Sequence, residues 1–109
     1  MNTDKVPDTK LKGIKLIVVD LDGTLLKSDK SLDDNIKDVI SGQDYKFTIA
    51  SGRSMVLVKK FISELDINSP YITNNGAEIY QNDACVKQYS IPDEEVRFIL
   101  NLVQEFNLE

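Results

Sequence analysis

A nearly continuous apolar run, Ile14-Lys15-Leu16-Ile17-Val18-Val19, stops abruptly on Asp20-Leu21-Asp22-Gly23-Thr24. β-Branched residues without alternating polar partners predict a strand buried on both faces, the habit of a central strand in a parallel sheet. Gly23 follows so closely that the strand must end in a tight loop. Two carboxylates at the mouth of such a strand repel one another, and a cation or a proton is needed between them. Magnesium suits the role, because it accepts few carboxylates and shares its other positions with phosphate. The turn at Gly23 would expose backbone N–H groups to an anion, and Thr24 can bond back to a carboxylate. The parts of phosphoryl transfer are therefore present in one loop: a nucleophilic carboxylate, a second carboxylic acid, a metal site and backbone donors.

Two blander explanations of the loop are weaker. As an acidic turn without chemistry, Asp-x-Asp-Gly-Thr should arise by chance in roughly one sequence of this length in a thousand. A calcium loop wants Gly at its sixth position and Glu at its twelfth, where this chain has Leu25 and Ser31.

Downstream, the pattern of strand, loop and helix repeats. Ser31 is expected to cap a short helix with Leu32, Ile36, Val39 and Ile40 at helical spacing. Phe47-Thr48-Ile49-Ala50 reads as a second strand, broken by Ser51-Gly52-Arg53. A second helix carries Met55, Val58, Phe61, Ile62 and Leu65 on one stripe. Pro70 to Thr73 reads as a third strand, ending at Asn74-Asn75-Gly76. Such alternation predicts a doubly wound α/β sheet, in which ligands bind at the carboxyl ends of the strands. All three loops fall there. Ser51 offers a hydroxyl to a phosphate oxygen, Gly52 permits close backbone approach, and the helix beginning near Ser54 aims its N-terminus at the same place. Arg53 either pairs with a leaving group or lies solvated on the rim, and Asn75 is either a substrate contact or part of an ordinary turn. Beyond Gly76, two strands (Ala77 to Tyr80 and Cys85 to Ile91) flank a turn at Gln81-Asn82-Asp83. Asp93 then caps a helix striped by Val96, Ile99, Leu100, Val103 and Phe106.

The balance of charge narrows the partners. A net charge of −5 over 109 residues, without a basic run, argues against nucleic acid or an anionic membrane surface. The single cysteine, Cys85, allows no internal disulfide and fits a reducing cytoplasm; the absence of histidine removes the usual means of activating it. Residues 1–12 read as a polar tail without the apolar centre of an export signal.

The segment Asp20-Leu21-Asp22-Gly23-Thr24-Leu25-Leu26 resembles the first motif of the haloacid dehalogenase superfamily, and Ala50-Ser51-Gly52-Arg53 resembles its second. Asn75-Gly76-Ala77 brings the likeness nearer to the Cof-type subfamily of sugar-phosphate phosphatases, which carry a cap after the third strand. The resemblance implies an α/β, Rossmann-like doubly wound parallel sheet, with residues 13–90 forming part of the core and leading through the hairpin to a cap whose first helix lies in 91–109. It implies that Asp20 attacks phosphorus and ligates Mg2+. Asp22 would protonate the leaving oxygen, activate water and ligate the metal through its backbone carbonyl. Leu21, Gly23, Thr24, Ser51, Gly52, Arg53, Asn75 and Gly76 would line the phosphate and substrate. A small phosphorylated metabolite is the implied partner. A receiver-type domain shares the acidic strand end, but its carboxylates are adjacent and are not followed by Gly-Thr.

The family pattern continues with a lysine after the cap and a Gly-Asp loop bearing a further Asp, and these 109 residues hold neither. The expectation is an amino-terminal portion, inactive by itself, whose first strand lies at an open sheet edge. It is either a non-catalytic phosphate- or metal-binding fragment or truncated gene product, or it is completed by a second polypeptide or by self-association through that edge. The last helix should likewise expose its apolar stripe.

Overall fold

The computed structural model describes residues 13–108; the polar tail read at 1–12 lies outside them. Five strands form one sheet in the order β1-β2-β3-β4-β5: Leu16–Asp20, Lys46–Ala50, Tyr71–Thr73, Glu78–Gln81 and Ala84–Gln88. The first three are parallel, and β1 runs in register with β2 from Leu16 opposite Lys46 to Asp20 opposite Ala50. That register ends both strands at one level, so Asp20 and Ser51 emerge side by side.

The sheet is mixed rather than all parallel. Only the short turn Asn74–Gly76 and Ala77 separate β3 from β4. A parallel partner would need a crossover of a dozen residues or more, so the chain reverses directly. Tyr71, Ile72 and Thr73 then pair antiparallel with Tyr80, Ile79 and Glu78. Asn82-Asp83 closes the hairpin to β5. This hairpin extends the core sheet itself instead of opening a separate layer.

Helices cover one face. α1 (Ile36–Ser41) and α2 (Met55–Glu64) link the parallel strands. Val58, Phe61 and Ile62 of α2 bury against Ile49 and Tyr71, together with Leu21, Leu26, Leu65 and Ile67; Ile36 and Ile40 of α1 and Phe47 pack on the margin. The Tyr71 ring stacks on Tyr80 with 5.9 Å between centroids, and its hydroxyl donates to the Asn82 carbonyl at 2.8 Å. The helix expected from Ser31 is shorter than its apolar spacing suggested. Ser31 donates its hydroxyl to Asp29, and the Asp33 carboxylate accepts the Asn35 N–H at 2.9 Å. Polar side chains that satisfy nearby backbone in this way compete with the helix, which begins only at Ile36. Leu32 still reaches the core from outside it.

The expectation that β1 is buried on both faces does not hold. Leu16 and Val18 are 50% and 46% exposed, because no described element covers that face and no described strand lies beyond β1. The open edge anticipated from the sequence is therefore present among the described residues. So is the uncovered stripe of α3 (Asp93–Glu105), where Ile99, Leu100 and the following Phe106 are exposed. Pro92 occupies the cap position expected for Asp93, which with Glu94 and Glu95 forms an acidic first turn, a favourable placement against the helix dipole. Among the described residues no helix is long and apolar enough to cross a membrane.

Candidate active site

Leucine anchors shape the first loop. After β1, Leu21 and Leu26 are buried at 0% and 6% exposure, and the Leu26 N–H closes a wide turn onto the Leu21 carbonyl at 2.9 Å. Between them Gly23 takes φ +80°, a left-handed conformation that a side chain would strain. With its apolar residues turned inward, the loop presents Asp20 exposed and Asp22 half-buried.

Loops two and three are bonded to each other. The Ser51 N–H donates to the Ile72 carbonyl at 2.9 Å, the Asn75 N–H to the Ser51 carbonyl at 3.1 Å and the Asn74 N–H to the Arg53 carbonyl at 2.9 Å. Buried Ser51 accepts the Arg53 N–H on its Oγ at 3.0 Å, which leaves the hydroxyl hydrogen available to an incoming oxygen. Asn74, Asn75 and Gly76 all have positive φ, at 49°, 56° and 95°. Three successive left-handed residues are costly. They are supported by Glu78, whose carboxylate accepts from the Asn74 side chain and from the Tyr80 hydroxyl. That bond, with partial burial behind it, pushes the Tyr80 hydroxyl up to about 12.

Asp20, Ala50, Ser51, Gly52, Ile72, Asn75 and Gly76 together line a cleft of about 460 Å³ at the carboxyl ends of the parallel strands. Gly52 lets the Asn75 side chain come close. A Cβ on it would meet Asn75 Oδ1 at 2.8 Å. Gly52→Ala is therefore expected to displace the Asn75 amide while leaving the fold intact. NMR shift changes should centre on Asn75 and Gly76 with a melting temperature within a few degrees of wild type. A spectrum unchanged at Asn75 would contradict the close approach.

Asp22 lies beside this cleft in a cationic clamp. The Arg53 guanidinium donates from Nε to Oδ2 at 2.8 Å and from Nη2 to Oδ1 at 2.7 Å, and Lys30 Nζ donates to Oδ1 at 3.2 Å. The guanidinium also sits 5.8 Å from the Phe61 ring centroid, so α2 supports it from below. Hydrogen bonds from Arg53 first and Lys30 second hold the Asp22 carboxyl down at about 2, against an ordinary 3.8. Asp22 in turn raises the Arg53 guanidinium. A depressed carboxylate stabilises the fold above the unfolded value, and that contribution disappears as pH falls from 3.8 toward 2. In metal-free protein, Arg53→Gln should move the Asp22 carboxyl-carbon titration up toward 3.8. A midpoint still near 2 would show that Arg53 is not the cause.

Of the residues singled out in the sequence, Asp20, Ser51, Gly52, Asn75 and Gly76 meet in the cleft and Asp22 joins Arg53, whereas the Leu21 side chain is buried in the core and does not line it. Thr24 is exposed, and Arg53 and Lys30 hold the Asp22 carboxylate in the place foreseen for it. Arg53 itself is neither free on the rim nor empty-handed. Lys30, Phe61 and Glu78 were not anticipated: their roles depend on turn geometry and on contacts across the fold. Among the described residues no group of three or more acidic, histidine or cysteine side chains gathers as a metal centre.

Parallel strands that set an acidic turn against a Ser-Gly-Arg turn at their carboxyl ends, within a mixed sheet covered by helices, define an α/β protein. Comparison with known proteins narrows this class: the family of haloacid dehalogenase-like hydrolases matches residues 17–109, and the chain belongs to it. The Bacillus subtilis protein YkrA, provisionally named a phosphatase, is 32% identical over 94 residues, covering 84% of this chain and 36% of that protein. The B. subtilis 5-amino-6-(5-phospho-D-ribitylamino)uracil phosphatase YcsE is 33% identical over 73 residues, covering 64% of this chain and 29% of its own length. Among solved structures, BT1666 from Bacteroides thetaiotaomicron, a phosphatase of the same superfamily, superposes with a TM-score of 0.75 at 25% identity, covering 97% of this chain and 40% of that one. The chain spans about a third of the length of the curated relatives it matches.

Proposed function

We propose that this chain carries the nucleophile half of a magnesium-dependent phosphohydrolase of Cof type. Its substrates are small phosphomonoesters such as sugar phosphates, and an aspartyl phosphate is the intermediate. The observation that carries the reading is the shared cleft of Asp20, Ser51, Gly52 and Asn75 at the strand ends. YcsE, named for a phosphorylated ribityl compound, supports a small phosphomonoester as the substrate class.

The donor set fits magnesium. Its available groups are hard oxygens, the Asp20 carboxylate and the Asp22 backbone carbonyl, and magnesium binds through one or two carboxylates with water and phosphate completing its shell. When bound there, the ion supplies positive charge to the phosphoryl oxygens. In the reaction an Asp20 oxygen forms a bond to phosphorus as the bond from phosphorus to the leaving oxygen breaks. Ser51 and the backbone N–H groups near Gly23 hold the transferring group. Asp22 delivers a proton to the leaving oxygen, then takes one from the water that attacks the acyl phosphate, so that Asp20 and inorganic phosphate are released. At rest the Arg53 clamp keeps Asp22 ionised. Substrate that draws Arg53 toward itself removes the main support of that charge and lets Asp22 take a proton.

A second reading has one observation in its favour, the absence of a third metal-ligating group near the pair among the described residues. On that reading the chain by itself binds magnesium and phosphate without turnover, and a complementing polypeptide supplies the rest. Hydrolysis of p-nitrophenyl phosphate separates the two. Magnesium-dependent turnover that is lost on chelation supports the enzyme. Its absence, with magnesium-dependent phosphate binding at Ser51 and Asn75, supports the binding module.

A further inference from the structure

We infer that Lys30 selects substrates whose leaving group carries a negative charge of its own, such as a carboxylate or a second phosphate. The inference rests on the phosphohydrolase reading above, because that reading fixes which side of the site the leaving group occupies. Asp22 passes its proton to the leaving oxygen, so any cation bonded to Asp22 stands on the leaving-group side.

Lys30 is not needed to neutralise Asp22. Arg53 already grips both carboxylate oxygens, at 2.8 and 2.7 Å, and the second cation at 3.2 Å leaves the trio with one uncancelled positive charge. The overall charge of the chain is −5, so an anionic substrate meets general repulsion that this local excess offsets.

The backbone gives an independent reason to regard the placement of Lys30 as specific. Its φ is +67°, a conformation that costs a residue with a side chain energy and that Gly or Asn would adopt more readily. It is held there by a closed turn: the Lys30 N–H bonds the Lys27 carbonyl at 2.9 Å, and the Lys27 N–H bonds the Ser31 carbonyl at 2.8 Å. The Asp29 carboxylate accepts from both the backbone and the hydroxyl of Ser31. An outlier retained by so many bonds points to a positional role. The Lys30 side chain is 61% exposed and its stem is flexible, so the ammonium group can leave Asp22 for a substrate anion without disturbing the fold.

The test uses two nonhydrolysable phosphonates of equal length, one ending in a carboxylate and the other in an isopropyl group, titrated calorimetrically into the chain with magnesium at low ionic strength. Wild type should prefer the carboxylate by about fivefold, the scale of an exposed ion pair, and Lys30→Asn should reduce the preference to below about twofold. Asparagine tolerates the left-handed turn, so the melting temperature should hold and the ratio of affinities reads the charge alone. Equal affinities in wild type, or the same preference in Lys30→Asn, would overturn the inference while leaving the phosphate site standing. If neither phosphonate shifts the Ser51 and Asn75 resonances, the phosphohydrolase reading fails and takes the inference with it.

Discussion

On the proposed reading, and in a form of the protein that hydrolyses p-nitrophenyl phosphate with magnesium, Asp20→Asn is expected to slow turnover by at least about a thousandfold, the scale on which removal of an essential nucleophile acts. The substitution keeps the size of the side chain and removes its charge. An amide oxygen is a poor nucleophile and a poorer partner for a cation, so both proposed duties fail together. Because Asp20 is exposed at the end of β1, the fold has little stake in it, and the melting temperature should stay within about 3 °C of wild type, as for other surface changes. That separation of activity from stability is the informative result. Asp22→Asn cannot provide it, since it also releases Arg53 and Lys30 from the carboxylate they hold. Residual turnover of a tenth or more in Asp20→Asn would remove Asp20 from the chemistry.

The parts of this site that were legible in the sequence are those whose position follows from local pattern. A strand that ends on Asp20 and another that ends before Ser51 place their loops at the same edge once they pair in parallel, and the observed register does so. The α2 stripe was equally readable, because its 3.6-residue period survives into the structure with Val58, Phe61 and Ile62 buried. What was illegible depends on distant partners. Asp22 and Arg53 lie 31 positions apart, and nothing in Ser-Gly-Arg announces that the arginine turns back to the first loop. The approach of Lys30 needs a left-handed residue in a turn made from Lys27 to Ser31, which composition does not reveal. Burial of β1 was overread for a related reason: apolar residues state which surface can be covered, whereas covering it needs a second layer that the described residues do not supply on the Leu16 and Val18 face. The mixed sheet, by contrast, had a readable signal. Asn74-Asn75-Gly76 is a turn too short for a crossover.

Leu21→Ala should have a large effect on stability, and it tests how the first loop is held. Leu21 stands between the two acidic residues yet is 0% exposed, packed with Leu26, Ile49 and the α2 residues. Truncating so enclosed a leucine costs about 2–5 kcal/mol, from lost burial and from the cavity left behind. For a domain of this size that corresponds to a fall in melting temperature on the order of 10–25 °C. Leu21→Met, which nearly conserves volume, should cost less than about 1.5 kcal/mol. Val18→Ala, on the uncovered face of β1, should fall within about 0.5 kcal/mol of wild type. The functional consequence follows from the bond between the Leu21 carbonyl and the Leu26 N–H that closes the turn. With its apolar anchor removed, the segment carrying Asp20 and Asp22 loses its fixed relation to Ser51. Magnesium-dependent phosphate binding should then weaken even at temperatures where Leu21→Ala is fully folded. If Leu21→Ala melts as wild type does, or binds phosphate as tightly when folded, the inward leucine is not what orients the two carboxylates.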